Sequence, residues 1–391
     1  MLQEANAIKD KLIEWRRHLH QYPELSFQEK NTSTYIVAIL EDLEVFHLET
    51  GIGGCGVIAS IKGNGGPTIG VRADMDALPI QESTSLSFRS KHSGIMHACG
   101  HDAHTTMLLG VAHLLATYKK EGRLQGNVKL VFQPAEETAD EDGRTGAPHI
   151  IESDKLADVE AMIALHVCPW RKIGELQLHS GISMASVDNY RMVIEGKGGH
   201  GGYPHQTKDP IWMSSFILQA IYGLISRKVN PLQVGTISVG EIKGGSSTNV
   251  IPDKVIITGT IRAYEQEVRH QLREELYEIS RMAASLGGSA SLEMEIGEPA
   301  LHNDKKMVQY MKLAAQKLEP SFKIYEEPYG MGGEDFSHYT EKIPGAMAFI
   351  GSSPEGYQYD LHTSDFQIDE RVLPMGVGFL LETIEQWWKN Q

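Results

Sequence analysis

The sequence predicts an α/β protein whose mainly parallel sheet is interrupted by an inserted α+β domain. Short apolar strands alternate with amphipathic helices near both ends of the chain, which is typical of a parallel sheet covered by helices. Between them, residues 189–296 follow the order strand, helix, strand, strand, helix, strand, which is the ferredoxin-like arrangement. The length of 391 residues suits two or three domains. We therefore expect one domain of residues 1–183 and 297–391 and an inserted domain of residues 184–296.

The individual elements follow from apolar spacing and turn residues. Residues 4–20 carry apolar side chains three and four positions apart, which predicts a helix that ends before Pro23. Strands are predicted where short apolar runs meet turn residues. In the first domain the further predicted helices are 33–41, 103–118, 304–318 and 371–388, and the predicted strands are 56–61, 68–72, 128–132, 162–165 and 346–350. In the inserted domain the predicted strands are 189–195, 233–243, 254–262 and 289–296, and the predicted helices are 210–227 and 266–286.

Composition excludes several classes of protein. Hydrophobic residues make up 41% and charged residues 22%, which is ordinary for a globular chain and unlike a disordered one. The 36 Lys and Arg against 51 Asp and Glu give a net charge of −15, which argues against nucleic-acid binding. No apolar run is long enough for a membrane span and the N-terminus lacks a secretory signal, so we expect no membrane partner and a cytoplasmic protein. Three cysteines, an odd number in a chain of this length, argue against a disulfide framework.

Reactive side chains concentrate where predicted strands of the first domain end. Ligands bind outside the carboxyl ends of the strands in open α/β sheets. The strand-end residues are Asp74, Asp76, Glu136, Glu137, His166 and, after a loop, His362. The loop before the predicted helix 103–118 adds His97, Cys99, His101, Asp102 and His104. We expect these side chains to meet at one edge of the sheet.

Cys99 and His101 suggest a metal site. They are two residues apart, so in an extended loop their side chains point to the same side. A thiolate and an imidazole suit Zn²⁺, and also Mn²⁺, Co²⁺ or Ni²⁺. Three alternatives remain: a buried apolar cysteine with a helix-capping histidine, a thiol nucleophile and a closed structural zinc site. The surplus of candidate ligands favours two ions, which share such sites at about 3.5–4 Å.

The adjacent Glu136 and Glu137 suggest acid–base chemistry. On an extended segment adjacent side chains diverge, so one carboxylate can bind metal while the other takes a proton from water activated by the metal. The alternative is a solvated acidic run that continues through residues 140–142. Asp74 and Asp76 are candidates for metal ligands, for carboxylates that orient a histidine ligand and for turn residues before Pro79. We favour the orienting role for Asp76, and the turn carries weight for Asp74.

The glycine-rich segment at residues 196–202 of the inserted domain resembles a phosphate-binding loop only loosely. It lacks the terminal Gly-Lys-Ser/Thr, so we reject nucleotide binding. Its glycines permit a sharp turn that presents His200. The alternative is a plain hairpin loop with an exposed histidine.

Together these motifs resemble the M20 metallopeptidase family, in particular its amidohydrolase branch of N-acyl-amino-acid hydrolases, hippurate hydrolases and N-acetyldiaminopimelate deacetylases. The matching stretches are RRHLH (16–20) with PE (23–24), RADMDALP (72–79), HACGHDAH (97–104), QPAEE (133–137), ALH (164–166), GKGGHGGYPH (196–205), NVIP (249–252), GTIR (259–262), GEDF (333–336) and LH (361–362) with Phe366. They cover nearly the whole chain in one order. The acidic loop at residues 138–147 departs from the glycine-rich stretch of relatives, so the resemblance does not determine the substrate preference.

The resemblance implies a zinc-peptidase-like catalytic domain with two divalent metal ions and an inserted lid that also forms a homodimer or a dimer-based oligomer. The implied metal ligands are Cys99, His101, Glu137, His166 and His362. The implied catalytic residues are Glu136 as the general base, Asp76 as the carboxylate that orients a ligand, and His200 as the lid histidine at the reacting carbonyl. Asn249 and Arg262 are implied to lie near the substrate.

The function implied by the resemblance is metal-dependent hydrolysis of the amide bond of N-acyl amino acids, as in aminoacylases. A metallo-carboxypeptidase or dipeptidase on the same scaffold is the alternative. A metal- or peptide-binding protein without turnover is a further alternative, although a binding role needs no general base such as Glu136.

Overall fold

The computed structural model describes residues 1–357 and 359–391. In chain order the strands are β1 (His47–Ile52), β2 (Gly56–Ile61), β3 (Thr68–Asp74), β4 (Asn127–Gln133), β5 (Val159–Lys172), β6 (Glu175–Gln177), β7 (Gly181–Met184), β8 (Ser186–Glu195), β9 (Gly199–His200), β10 (Gly235–Gly244), β11 (Val250–Ile251), β12 (Lys254–Ala263), β13 (Ser289–Ile296), β14 (Leu301–Asn303), β15 (Lys323–Tyr325) and β16 (Gly345–Ser353). The helices are α1 (Leu2–Ala7), α2 (Lys9–Gln21), α3 (Lys30–Asp42), α4 (His101–Lys120), α5 (Gly146–Glu152), α6 (Pro210–Lys228), α7 (Gln266–Ser280), α8 (Met282–Ser285), α9 (Lys305–Leu318), α10 (Phe336–Thr340) and α11 (Val372–Trp388).

The chain divides into two compact units, which confirms the α/β class with a second, smaller module. The first unit comprises residues 1–181, 302–329 and 335–391, and the second comprises residues 182–301 and 330–334. Among the described residues, no helix is both long and apolar enough to cross a membrane.

An eight-stranded sheet with the order β1-β2-β4-β3-β5-β16-β6-β15 forms the centre of the first unit. Its four central strands, β4, β3, β5 and β16, run parallel, so their carboxyl ends meet at one edge. The helix α4 is buried along most of its length and begins at this edge, with His101 as its first residue. The carboxyl ends of the central strands and the first residue of α4 therefore lie at the same edge, next to the loop before α4.

His166 reaches this edge in a way that differs from the sequence prediction. The prediction placed it just after a strand at 162–165, but β5 continues to Lys172. The reason is that β16 stays paired with β5 past His166, with Ile350 opposite Val167. The neighbour β3 is paired with β5 only as far as Ala164. His166 therefore lies inside its own strand but beyond the last β3 pairing.

The second unit has the predicted ferredoxin-like arrangement. Its antiparallel sheet has the order β10-β12-β8-β13, with α6 following β8 and α7 following β12. The strand β8 alternates between buried and exposed side chains, and its inward residues Tyr190, Met192 and Ile194 join the core formed with the two helices. One face of this sheet is thus covered by α6 and α7.

A buried ion pair joins α7 to β8 in this unit. Nη2 of Arg269 donates to Oδ1 of Asp188 at 2.6 Å, and Nε donates to Oδ2 at 3.0 Å. Breaking a buried pair by removing one partner typically costs about 3–5 kcal/mol, so we expect Arg269→Met to lower the free energy of unfolding by about that amount. The double variant Arg269→Met/Asp188→Leu should recover part of the loss because no lone charge stays buried, while the carbonyls of Val187 and Gly297 still lose the guanidinium as a donor. Urea unfolding measures both; a wild-type midpoint for Arg269→Met would contradict the expectation.

Candidate active site and metal centre

The loop before α4 turns sharply between Cys99 and His101. Gly100 adopts a left-handed φ of 92°, and a Cβ on it would lie 2.3 Å from Cγ2 of Val167. The predicted extended loop is therefore wrong, because the chain already begins a helix at His101. The turn nevertheless brings the two side chains together, since Sγ of Cys99 lies 3.5 Å from Nε2 of His166 and His101 belongs to the same cluster.

The structure brings all the sequence-predicted metal-ligand candidates of the first unit into overlapping groups. In each group the candidate ligand atoms lie within 4.8 Å of one another. The groups made up of these candidates are Cys99, His101 and His166; Cys99, Glu137 and His362; and His101, Glu136 and Glu137, and a further group joins His101 to Asp74 and His104. Because the groups share members, the side chains line one continuous site that can hold more than one ion.

Two features of this cluster fit divalent metal ions. Ligand atoms held about 2.0–2.3 Å from one tetrahedral ion are about 3.3–3.8 Å apart. The Sγ–Nε2 separation of 3.5 Å between Cys99 and His166 matches this spacing, and the 3.2 Å between Nε2 of His362 and Oε1 of Glu137 is close to it. In addition, Nε2 of His101 is buried and has no hydrogen-bond partner among the described residues. Such an orphaned polar atom is costly, and a metal ion would satisfy it.

Asp76 orients two of the candidate ligands. Its Oδ1 lies 3.1 Å from Nδ1 of His101, so that ring donates through Nδ1 and leaves Nε2 for an ion. Its Oδ2 accepts hydrogen bonds from the backbone N–H of Glu137 at 3.0 Å and from the hydroxyl of Ser26 at 2.7 Å. His166 is oriented similarly, because its Nδ1 donates to the carbonyl of Val167 at 2.7 Å.

His104 and Asp74 form a supporting pair that the sequence analysis did not assign. Nδ1 of His104 lies 2.7 Å from Oδ1 of Asp74, and its Nε2 accepts the N–H of Val167 at 2.9 Å. Both ring nitrogens are thus engaged, so His104 supports the strand of His166 rather than binding metal. The turn interpretation of Asp74 is wrong, since it ends β3. The spacing of three between His101 and His104 places both side chains on one face of the helix, but it does not identify Asp74 or Val167 as partners of His104.

A second missed network surrounds Arg72. This buried guanidinium donates to Asp74 at 2.6 Å, to Asp335 at 2.6 Å and to the side-chain oxygen of Gln133 at 2.9 Å. It links the ends of β3 and β4 to the segment before α10. Gln133 and Asp335 lie 61 and 263 positions from Arg72 along the chain, so periodicity and spacing carry no signal for these two contacts.

The segment that carries the two glutamates is not extended. Ala135 adopts a left-handed φ of 50°, and both Oε2 of Glu136 and Oε1 of Glu137 approach Nε2 of His101, at 4.0 and 3.7 Å. The prediction that the two carboxylates diverge is therefore wrong. His362 also has a left-handed φ, of 61°. Non-glycine residues in this region are strained, and such strain is concentrated at functional sites.

Negative charge dominates the electrostatics of the cluster. Burial and the carboxylates of Glu137 and Glu136 raise the pKa of the Cys99 thiol well above its usual value. Burial by itself lowers the pKa of His101, but Asp74 and Asp76 reverse this and raise it to about 10. Both groups therefore hold protons at neutral pH that a cation can displace.

The sequence-predicted residues of the second unit fall into two places. His200 in β9 pairs with Val250 in β11, and its Nδ1 accepts the N–H of Gly202 at 3.0 Å. Asn249 lies beside it, because its carbonyl accepts the N–H of Gly201 at 2.8 Å. Arg262 lies apart from them in β12, where its Nε donates to the hydroxyl of Thr260 at 3.2 Å.

Comparisons with known proteins agree with this architecture. The model of "Peptidase family M20/M25/M40" matches residues 70–386. An N-acetyl-L-cysteine deacetylase of Bacillus subtilis is 40% identical over 97% of this chain and 89% of its own length. Thermostable carboxypeptidase 1 of Saccharolobus solfataricus is 38% identical over 95% of this chain and 94% of its own.

A solved structure supports the same relationship. A Bacillus subtilis protein, described as a dinuclear metal binding peptidase of the M20 family, superposes with a TM-score of 0.84 at 34% identity, over 98% of this chain and 99% of its own. The match extends over both units of the chain, and the resemblance inferred from the motifs is thereby confirmed. The chain belongs to peptidase family M20.

Proposed function

We propose that this protein hydrolyses the amide bond of N-acyl amino acids, using two divalent metal ions held by Cys99, His101, Glu137, His166 and His362. The observation that carries the proposal is the position of Glu136. Its Oε2 lies 4.0 Å from Nε2 of His101, so a candidate base stands directly beside the ligand cluster. The N-acetyl-L-cysteine deacetylase that is 40% identical supports this choice of substrate class.

The proposed chemistry divides between the ions and the side chains. Divalent ions at such a site act as Lewis acids and lower the pKa of water. Glu136 takes a proton from the attacking water as the new carbon–oxygen bond forms, and it returns that proton to the amine nitrogen as the carbon–nitrogen bond breaks. Asp76 keeps the ring of His101 in its orientation through the 3.1 Å contact.

The roles in the second unit come from the family resemblance and belong to the same proposal. His200 would stabilise the developing oxyanion by donating a hydrogen bond. Asn249 and Arg262 would contact the substrate, and a guanidinium suits the carboxylate of an amino acid. A homodimer or dimer-based oligomer is also proposed, and sedimentation equilibrium would measure it.

A metallo-carboxypeptidase or dipeptidase is the second candidate, because Thermostable carboxypeptidase 1 is 38% identical to this chain. The two candidates differ in the group on the acyl side of the scissile amide. A free α-amino group is present there in dipeptides and absent in N-acetyl amino acids. The preference between these substrates therefore separates the deacylase from a dipeptidase, and an N-acetylated dipeptide, whose acyl side is a peptide, tests for a carboxypeptidase.

The test is a substrate panel combined with metal analysis. N-acetyl amino acids and dipeptides with matched carboxyl-terminal residues are assayed after saturation with Mn²⁺ or Zn²⁺. We expect kcat/KM for the best N-acetyl substrate to exceed that for its matched dipeptide by at least about tenfold, with about two ions per chain. EDTA should abolish turnover, whereas alkylation of metal-loaded protein should not.

Three results would contradict the proposal. A preference for dipeptides would favour the peptidase. Indifference to EDTA with inactivation by alkylation would favour a thiol nucleophile at Cys99. The absence of turnover on either substrate class after metal saturation would favour a binding protein.

A further inference from the structure

Glu29 is a buried carboxylic acid immediately before α3, and its side chain is completely excluded from solvent. Its Oε1 accepts the backbone N–H of Ala135 at 2.8 Å, across 106 positions of sequence. Burial raises the pKa of Glu29 to about 7, with a further contribution from the charge of Asp76. Burying a carboxyl group is unfavourable unless its contacts compensate, so this contact with Ala135 requires an explanation.

Ala135 immediately precedes the two glutamates of the site, Glu136 and Glu137. Its left-handed φ of 50° is one that alanine rarely adopts, so neighbouring groups must hold it. Its N–H donates to Glu29 at 2.8 Å, and its carbonyl accepts the N–H of Gly146 at 2.8 Å. Two residues further along, the N–H of Glu137 donates to Asp76 at 3.0 Å. Hydrogen bonds of the residues on both sides of Glu136 therefore set the direction in which its side chain points from the turn.

We propose that Glu29 is a positioning residue of the hydrolytic site: its carboxyl oxygen holds Ala135 in the left-handed conformation and so keeps Glu136 beside His101. This inference rests on the proposed function, in which Glu136 is the general base. Glu29 acts through the main chain of the turn and takes no part in proton transfer. The property that matters is the acceptor oxygen, which an amide side chain also provides.

Two substitutions of Glu29 distinguish the contribution of its acceptor oxygen from that of its side-chain shape. Glu29→Gln keeps an acceptor oxygen for the Ala135 N–H, whereas Glu29→Leu has similar bulk and no acceptor. Glu24→Leu is the matched control. Glu24 is also a buried glutamate near the start of α3, but its carboxylate accepts hydrogen bonds from Asn31 and Thr32 in that helix.

The experiment measures kcat, KM and bound metal in the full-length, metal-saturated variants, together with hydrogen exchange of the Ala135 amide. For Glu29→Leu we expect kcat to fall roughly 10- to 100-fold with KM changed less than about twofold, because a displaced base loses alignment without weakening substrate binding. The Ala135 amide should exchange at least about tenfold faster, since its acceptor is gone. Glu29→Gln should stay within about threefold of wild type in both measurements, because the hydrogen bond is retained.

Glu24→Leu should lower the unfolding temperature through the lost helix contacts while leaving kcat and Ala135 exchange unchanged. The inference is overturned if Glu29→Leu keeps wild-type kcat, if Glu29→Gln is as impaired as Glu29→Leu, or if Glu24→Leu loses kcat equally. Failure of the proposed function is a separate result. In that case wild-type protein hydrolyses no N-acyl amino acid, and exchange at Ala135 still decides whether Glu29 holds the turn.

Discussion

Glu136→Gln is expected to reduce kcat by about 10²–10⁴-fold, the usual contribution of a general base, while the metal content stays at the wild-type level. Glutamine matches the shape of glutamate but cannot accept a proton at neutral pH. The metal content should persist because the proposed ligand carboxylate is that of the neighbouring Glu137, which lies 3.2 Å from Nε2 of His362. Steady-state kinetics on an N-acetyl amino acid and elemental analysis of the same preparation measure both quantities.

Glu141→Gln is the matched control for this substitution. Glu141 is an exposed glutamate in the acidic segment that follows the site, so the same chemical change there should leave kcat within about threefold of wild type, as for most surface positions. Substantial activity in Glu136→Gln would show that another group removes the proton. Loss of an ion in that variant would instead place Glu136 among the metal ligands.

Metal affinity is expected to rise steeply with pH. Burial and the neighbouring glutamates raise the pKa of the Cys99 thiol well above its usual value. The pKa of the His101 imidazole is about 10. At pH 6–8 both groups carry protons that an ion must displace, so raising the pH makes binding easier. Each displaced proton contributes about tenfold in affinity per pH unit, which predicts up to about 100-fold per unit for the pair.

Titration calorimetry of metal-free protein with Zn²⁺ at pH 6, 7 and 8, in buffers of different ionisation enthalpy, measures the affinity and the protons released. Cys99→Ser should bind more weakly and release about one proton fewer per chain, because serine has no thiol proton to lose. Cys168→Ser alters another buried cysteine and should behave like wild type. An affinity independent of pH, or an unchanged proton count in Cys99→Ser, would contradict the assignment of the thiolate as a ligand.

Much of the fold could be read from local patterns. Alternating strands and helices predicted the largely parallel sheet, and the six-element order predicted the ferredoxin-like sheet β10-β12-β8-β13. The helix predicted at 4–20 is instead divided into α1 and α2, because Ile8 leaves the helical conformation with a φ of −106°. Apolar spacing continues across such a break, so periodicity alone does not detect it.

The residues that form the candidate site could also be predicted from the sequence, but their geometry could not. Carboxyl ends of parallel strands meet at one edge, which was enough to group Glu137 and His362 with the histidine loop. The local conformations were not predictable in the same way. Gly100 and Ala135 are both left-handed, and each replaces an extended segment by a turn that changes where the neighbouring side chains point.

The sequence by itself therefore determined the family, the α/β class and the residues that we propose bind metal or move a proton, because these depend on residue type, spacing and order. Only the tertiary structure decided which atoms face one another. In the folded chain, the two ring nitrogens of His104 form hydrogen bonds with Asp74 and Val167. Glu29 accepts a hydrogen bond from Ala135, which lies 106 positions away. Contacts of this kind arise when distant segments pack together, and no local pattern of residues encodes them.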